Sequence, residues 1–261
     1  MPSRLDLRIL LLRTIRAQIM DLFSLFRNSP EKQIERARKK VREPHGDPAT
    51  RMNGAHRLAE MGTPEALLAL LDRFTINVSP SGQDEQEKEE VLSWIIQMGE
   101  KAVPPLVQFL KRERQVYWAV RALRETVSEE EFSEKINGVL RDHWESPPAS
   151  SDPTAQLIRL LGVRSPQLVD TVNLFLGNAA DDVRLAALDY LFEGSDDRSR
   201  EFALECYLDS EDRPRVRNHI LERFAEEGWS VKGFRPKVED TLPEGYTLTR
   251  DGKVRTVDSG Q

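Results

Sequence analysis

Residues 155–177, AQLIRLLGVRSPQLVDTVNLFLG, contain the unit that decides the fold of this chain. A first apolar stretch ends at Gly162, and the pair Ser165-Pro166 opens a second one. In both stretches apolar residues recur every three or four positions, which places them on one face of an α-helix. Serine can cap the free N–H groups of a helix, and proline fits its first turn. The segment therefore predicts two helices joined by a short turn.

The same unit recurs along the chain. First helices are predicted at 55–62, 92–99, 119–126, 155–162, 187–194 and 220–228. Second helices follow at 64–74, 101–113, 129–144, 166–177 and 197–208. One helix pair is too small to bury both of its apolar faces, so stacked neighbours must share a continuous core. The fold class predicted is all-α, with about six helix pairs stacked on one another.

Helix boundaries are marked by residue chemistry as well as by periodicity. A capping residue followed by proline predicts helix starts at Ser29-Pro30, Asp47-Pro48, Thr63-Pro64, Asp152-Pro153 and Ser165-Pro166. A left-handed glycine commonly ends a helix, and such stops are predicted at Gly62, Gly99, Gly162, Gly194 and Gly228. Because these signals agree with the apolar spacing, they strengthen the prediction of helix pairs.

The chain resembles the HEAT-repeat family, an α-solenoid family related to armadillo repeats, over about residues 30–230. The resemblance implies that the helix pairs form a right-handed α-solenoid. First helices of that family carry the pattern Asp-x-Val-Arg-x-x-Ala-x-x-x-Leu, which is matched here by Asp181, Val183, Arg184, Ala187 and Leu191. Val216 and Arg217 match it in part, without the aspartate. The resemblance implies that Asp181, Arg184 and Arg217 tie one repeat to the next. It does not imply an activity, because this scaffold serves many functions.

Interruptions of the repeat pattern predict five regions. They are a basic helical segment at 1–29, a first block of repeats at 30–145, a Pro/Ser linker at 146–153, a second block at 154–230 and a C-terminal cap and tail at 231–261. Residues 75–90 form an insert in the first block, either part of a binding rim or a plain surface loop. Residues 245–257 alternate around Asp251-Gly252, which predicts a β-hairpin that caps the last repeat.

Charge is distributed unevenly between the N-terminal region and the rest of the chain. Residues 1–43 hold 11 basic and 5 acidic side chains, a balance of +6, whereas the net charge of the whole chain is -6. Three interpretations of residues 1–29 remain open. They form a helix that docks on the first repeat, an extension upstream of a true start at Met20, or a helix that contacts a membrane surface or a partner helix.

Motifs for enzymatic chemistry are missing from the sequence. Cys206 is the only cysteine, so cysteine-based metal clusters are excluded, and its apolar surroundings predict a core position. The four histidines form no metal-binding motif, and no phosphate-binding loop or nucleophile motif occurs. The aromatic residues Trp94, Tyr117 and Trp118 are predicted to lie in the core. We therefore expect no catalytic residue, cofactor or metal.

The function predicted is that of a non-catalytic scaffold or adaptor that binds a protein partner along the concave face of the solenoid. Second helices would line that face, and the polar positions between their apolar residues would point outward. The candidate partner-binding residues are Asp72, Arg73, Gln108, Lys111 and Arg112. The composition and the alternative start at Met20 favour a bacterial cytoplasmic protein.

Two alternative functions are kept. The first is nucleic-acid binding, through a HEAT-type groove or through a winged-helix-like C-terminal region with Arg235, Lys237, Arg250, Lys253 and Arg255. The acidic balance of the chain disfavours it, because a phosphate backbone requires cationic contacts. The second is a bilin-lyase-like accessory protein, which only the HEAT-like resemblance implies.

Overall fold

The computed structural model describes residues 29–257, except residues 163, 195 and 211. The described chain is mostly helical and contains one two-stranded antiparallel sheet, which confirms the predicted all-α class. The interpretations offered for residues 1–28 lie outside the described residues. The described chain divides into two compact units at residue 105.

The first unit is built from helices that pack around an apolar core. Its elements are α1 (Pro30–Val41), α2 (Pro48–Met61), α3 (Pro64–Leu71), a 3₁₀ helix (Asp72–Thr75), α4 (Ser81–Gln97) and a second 3₁₀ helix (Gly99–Ala102). Helix α2 contacts α1, α3 and α4, and α3 also contacts α1 and α4. Leu58, Leu70, Phe74 and Val91 are fully buried there. Helix α5 (Val103–Leu110) spans the division between the units.

The second unit consists of consecutive helices followed by a hairpin. Its elements are α6 (Tyr117–Thr126), α7 (Glu129–Glu145), α8 (Asp152–Arg159), α9 (Pro166–Leu174), a 3₁₀ helix (Phe175–Gly177), α10 (Asp181–Phe192), α11 (Asp197–Asp209), α12 (Pro214–Glu226), α13 (Arg235–Glu239), β1 (Tyr246–Leu248) and β2 (Val254–Thr256). Helices two apart in the chain pack together: α6 on α8, α7 on α9, α8 on α10 and α10 on α12. The predicted linker at 146–153 lies inside this unit.

Four of the five predicted capping pairs act as helix starts. The side-chain oxygens of Ser29, Asp47, Thr63 and Ser165 each accept a hydrogen bond from a backbone N–H in the first turn of the following helix. The prediction is wrong for Asp152-Pro153, because Ser151 is the N-cap there and makes no side-chain cap bond. Asp152 lies inside the first turn and pairs instead with Arg114, Nη2 to Oδ2 3.2 Å.

Four of the five predicted glycine stops adopt the left-handed conformation. Their φ angles lie between 56° and 63°, at Gly62, Gly99, Gly162 and Gly228. Gly194 is not left-handed, so that prediction is wrong. Helix α10 ends differently, because Arg164 donates to the carbonyl oxygen of Tyr190 in its last turn, Nη1 to O 2.7 Å. The Arg164 side chain thus donates to a carbonyl oxygen at the helix end. In a left-handed glycine turn, backbone N–H groups would bond to such carbonyl oxygens.

The two predicted departures from the repeat pattern have different outcomes. The predicted hairpin is present, with Tyr246 opposite Thr256, and its second strand packs against α12 and buries Val254. The insert at 75–90 is largely not a loop, because α4 begins at Ser81. Its acidic residues form the first turns of a helix that belongs to the core of the first unit.

Candidate partner-binding surface

The predicted partner-binding residues are divided between the two units. In the second unit Gln108 is half-buried, and Lys111 and Arg112 are exposed after the end of α5. Lys111 forms an ion pair with Asp142 of α7. Each of these three residues is accessible to a partner to some degree.

Asp72 and Arg73 were predicted to point outward, and this is wrong. Arg73 is 0% exposed and Asp72 is 5% exposed. The prediction extended the α-helical period of α3 through residue 74, but α3 ends at Leu71 and the next turn is a 3₁₀ helix. A 3₁₀ helix has three residues per turn, so the side chains after Leu71 lie at different angles. Arg73 is held inside the unit by the buried Glu87, whereas Asp72 pairs with the partly exposed Arg38.

Arg73 belongs to a buried network of charged side chains. Its guanidinium donates to Glu87, Nε to Oε2 3.0 Å, and to Asp84, Nη2 to Oδ1 2.7 Å. Arg51 donates to both oxygens of Glu87 at 2.7 Å. The Asp84 carboxylate also accepts from Lys88, Nζ to Oδ2 2.7 Å. Every charge in the network has an opposite partner, so no buried charge is left uncompensated.

The pKa values in this network follow from its pairing. Burial opposes the ionisation of Glu87, but the hydrogen bonds from Arg51 and Arg73 outweigh it and lower the pKa of Glu87. Burial likewise opposes the ionisation of Asp84, and the bonds from Lys88 and Arg73 lower the pKa of Asp84. The hydrogen bond to Glu87 raises the pKa of Arg51. All these groups therefore stay charged near neutral pH, and none is suited to proton transfer there.

A second group of predicted residues lies near the junctions between helix pairs. Asp181, at the start of α10, accepts from Arg213, which directly precedes α12, Nη1 to Oδ1 2.5 Å. Arg184 donates to the carbonyl oxygen of Asn178, Nε to O 2.6 Å, and to Ser210, Nη1 to Oγ 3.0 Å. Ser210 directly follows α11, so Arg184 links α10 to the segment after α11, whereas Asp181 links α10 to the start of α12.

Arg217 makes a comparable connection at the end of the chain. It donates to the hydroxyl of Tyr207 in α11, Nη2 to Oη 2.7 Å, and its guanidinium lies 4.5 Å from the centre of that ring. Tyr207 in turn donates to the carbonyl oxygen of Thr241, Oη to O 2.9 Å. These bonds join α11 and α12 to the segment that leads into the hairpin.

The second unit exposes apolar side chains on neighbouring second helices. Trp144 of α7 and Leu174 of α9 are each 40% exposed. The ring of Trp144 meets Phe175 edge to face, with centroids 5.6 Å apart, and Phe175 directly follows Leu174. We call Trp144, Leu174 and the groove described next the second-helix surface. Neither Trp144 nor Leu174 was singled out from the sequence. The available signal was a tryptophan at the polar end of a predicted helix.

A groove of about 330 Å³ continues this surface between the end of α9 and α11. Phe202 forms part of its wall, and the guanidinium of Arg198 lies 5.3 Å from the centre of that ring. Glu205 and Asp209 add two carboxylates. The second-helix surface thus combines exposed apolar area with two carboxylates and the Arg184 side chain, which also lines the groove.

Two buried groups could be mistaken for reactive ones. Cys206 is 5% exposed, as predicted for a core position, and burial raises the pKa of its thiol. His143 is also buried, between Thr154, Nδ1 to Oγ1 3.0 Å, and the carbonyl oxygen of Leu110, Nε2 to O 3.2 Å. Burial lowers the pKa of His143. Its Nε2 carries the proton, because a carbonyl oxygen can only accept, so both ring nitrogens are satisfied.

The aromatic residues predicted to be in the core are less buried than expected. Tyr117 is 51% exposed, while Trp94 and Trp118 are half-buried. Tyr117 and Trp118 pack edge to face at the start of α6, with centroids 5.4 Å apart. The apolar residues of α6 that fill the core are instead Ala119, Val120 and Leu123.

One of the five C-terminal basic residues is bonded within the protein. Arg235 donates to the carbonyl oxygens of Thr249 and Arg250, Nη1 to O 3.1 and 3.0 Å, and so holds the hairpin against α13. The four other cations proposed for nucleic-acid contact are exposed: Lys237, Arg250, Lys253 and Arg255. Arg235, which was expected to contact nucleic acid from α13, thus bonds to backbone carbonyl oxygens of the protein itself.

Metal-binding clusters and membrane-spanning helices are both absent from the described residues. In residues 29–257, apart from residues 163, 195 and 211, no group of histidine, cysteine, aspartate and glutamate side chains could hold a metal ion. In that same range no helix has the length and apolar character needed to cross a membrane. Comparison of the chain with protein-family models, curated proteins and solved structures finds no significant match.

Proposed function

We propose that the protein is a non-catalytic scaffold, an α-solenoid of HEAT-like helix pairs that binds a protein partner on its second helices. The packing inside the second unit supports the solenoid, because first helices α6, α8, α10 and α12 contact one another in series. Second helices α7 and α9 also contact each other. Such serial contacts are typical of repeat proteins, in which each unit buries its apolar face against its neighbours.

The exposure of Trp144 and Leu174 is the observation that carries the proposal. Burying either side chain would remove apolar area from water, worth about 25 cal/mol per Å². Tryptophan is enriched among the residues that dominate binding energy at protein interfaces. The neighbouring carboxylates Glu205 and Asp209 would select a partner segment that carries basic as well as apolar side chains. A helix or an extended segment lying across α7, α9 and α11 meets both requirements.

The test compares two exposed aromatic residues on different helix layers. Trp144→Ala changes a second helix, and the matched control Tyr117→Ala changes a first helix of the same unit. Tagged wild-type and variant proteins are used to purify partners from the native host, with quantitative mass spectrometry. We expect Trp144→Ala to reduce recovery of the specific partner at least about tenfold, the loss expected when an interface anchor is truncated, and Tyr117→Ala to leave it unchanged.

A second variant separates binding from folding. Trp144 contacts Phe175, so its truncation also removes a packing contact. Leu174→Asp places a charge at the apolar centre of the second-helix surface and should abolish capture, while circular dichroism shows a helical fold. Equal partner recovery by wild type, Trp144→Ala and Leu174→Asp would contradict the proposal. Specific retention of nucleic acid in place of protein would favour the alternative function.

A further inference from the structure

A groove in the first unit differs from the second-helix surface in both position and chemistry. It lies between α1 and α2 and has a volume of about 430 Å³. Four cationic side chains surround a floor of small and amide residues, and we call this set the basic groove: Arg36, Lys39, Lys40, Arg57, Asn53 and Gly54. The sequence patterns that predicted a partner surface did not include any of these residues.

The close approach of two helices creates the groove. A Cβ atom added to Gly54 would lie 3.0 Å from Cβ of Lys40 and 3.1 Å from the carbonyl oxygen of Ala37. Glycine inside a helix lowers stability by up to about 1 kcal/mol relative to alanine. At position 54 it allows a close approach of the two helices that a Cβ would obstruct. The bottom of the groove therefore carries few side chains, and the long cationic side chains of Arg36, Lys39, Lys40 and Arg57 line its sides.

The cations of α1 divide into two groups with different roles. Arg38 is bonded to Asp72 of the 3₁₀ helix, Nε to Oδ2 2.5 Å, and its charge is thereby paired within the unit. Within the described part of the chain, Arg36, Lys39 and Lys40 form no ion pair. Like charges at adjacent positions repel one another, and an anion placed between them would relieve that repulsion.

We propose that the basic groove binds a short acidic segment of a partner protein. Guanidinium and ammonium groups form strong hydrogen bonds with carboxylates, and the arginines suit bidentate contacts. The Asn53 amide carries both donors and acceptors, which can pair with the backbone of an extended peptide. Helix α1 has 12 residues and is about 18 Å long, the span of about five or six extended peptide residues.

A peptide fits these observations better than a nucleic acid does. Tight binding to a phosphate backbone requires many cationic contacts along an extended track. Here the chain as a whole has a net charge of -6, and the basic groove is confined to one helix and part of its neighbour. A short acidic segment needs only local charge complementarity, so the acidic remainder of the protein does not oppose it to the same extent.

The experiment measures peptide binding to the full chain by fluorescence anisotropy. The probe is a fluorescein-labelled peptide of alternating glutamate and serine, and the comparison peptide has glutamine in place of glutamate. Lys39→Glu with Lys40→Glu reverses two charges of the basic groove. The matched control, Lys101→Glu with Lys232→Glu, makes the same change of net charge at exposed lysines elsewhere. An oligothymidylate of equal charge tests nucleic-acid binding.

We expect the glutamate peptide to bind and the glutamine peptide not to bind. The reversal of Lys39 and Lys40 should weaken binding at least about tenfold, and added salt should weaken binding to the wild type. If the reversed variant loses its helical signal, Lys39→Gln with Lys40→Gln provides the same test with a smaller perturbation. Absence of peptide binding at low ionic strength, or an equal loss in the control, overturns the proposal. Tighter binding of the oligothymidylate also overturns it. Trp144 and Leu174 are unchanged in these variants, so this test and that of the proposed function fail independently.

Discussion

The two units of the molecule bury different kinds of polar side chain. Among the described residues, every buried aspartate, glutamate, lysine and arginine lies in the first unit: Arg51, Asp72, Arg73, Glu87 and Lys88. The buried polar residues of the second unit are His143 and neutral hydroxyl residues. The large exposed apolar residues show the opposite distribution, because Tyr117, Trp144, Leu174 and Val257 all belong to the second unit.

This difference has consequences for both stability and binding. A buried charge is tolerated only when its partner is present, so the first unit depends on specific pairs such as Arg73 with Glu87. The second unit has no such buried pair among its described residues and leaves apolar area at the surface. Loss of one charged side chain should therefore damage the fold of the first unit, whereas loss of Trp144 should mainly affect partner binding.

The largest expected effect comes from breaking the buried network. Glu87→Gln leaves Arg51 and Arg73 buried without their shared counter-charge, which should cost about 3–5 kcal/mol of the free energy of unfolding. Chemical denaturation followed by circular dichroism measures this loss. The matched control is Glu85→Gln, an exposed residue of the same helix, for which we expect a change below about 0.5 kcal/mol. A small effect of Glu87→Gln would show that the charges do not stabilise the first unit.

A smaller effect is expected at a glycine of the second unit. Gly162 has φ 56°, and the guanidinium of Arg124 lies 2.9 Å from the position that a Cβ would occupy. Gly162→Ala should destabilise the protein by about 1–2 kcal/mol, since other residues rarely adopt this conformation. Gly138→Ala, inside α7 and facing open space, should instead stabilise it by about 0.5–1 kcal/mol. The melting temperatures of both variants check the prediction. Relative to wild type, the two changes should have opposite signs, and changes of equal sign would contradict it.

The smallest expected effect is a difference between the two units in how their stability depends on pH. Burial lowers the pKa of His143 below its ordinary value of 6.5, so the unfolded chain binds its proton first as the pH falls. The second unit should lose stability below pH 6.5, whereas Glu87, with its pKa lowered from 4.5, should retain its contribution until the pH falls below 4.5. Amide hydrogen exchange at pH 7 and pH 5 resolves the two units. His143→Gln should flatten the pH dependence, and an unchanged slope would show that His143 is not responsible.

Local signals in the sequence predicted much of the secondary structure. Ser165 caps α9 and Gly162 adopts the left-handed conformation because both roles depend on a few adjacent residues. The hairpin around Asp251-Gly252 follows from the same kind of local chemistry. Predictions were wrong where a distant side chain changed the local outcome. Arg164, for example, satisfies the end of α10 that Gly194 was expected to terminate.

The candidate surfaces were less predictable because they depend on which face of each helix is covered. Periodicity places Arg73 between apolar residues, but it does not show that Glu87, fourteen positions later, holds it inside. Nor does it show that Trp144 stays exposed, or that Gly54 brings α1 and α2 close enough to form the basic groove.

The sequence by itself determined the helical class, most helix boundaries and the hairpin, since backbone hydrogen bonding, capping and apolar periodicity act over a few residues. Tertiary structure alone decided which charges are buried and which apolar groups face water. Those outcomes depend on the desolvation and pairing of side chains that are distant in the chain, and only the packed fold brings them together.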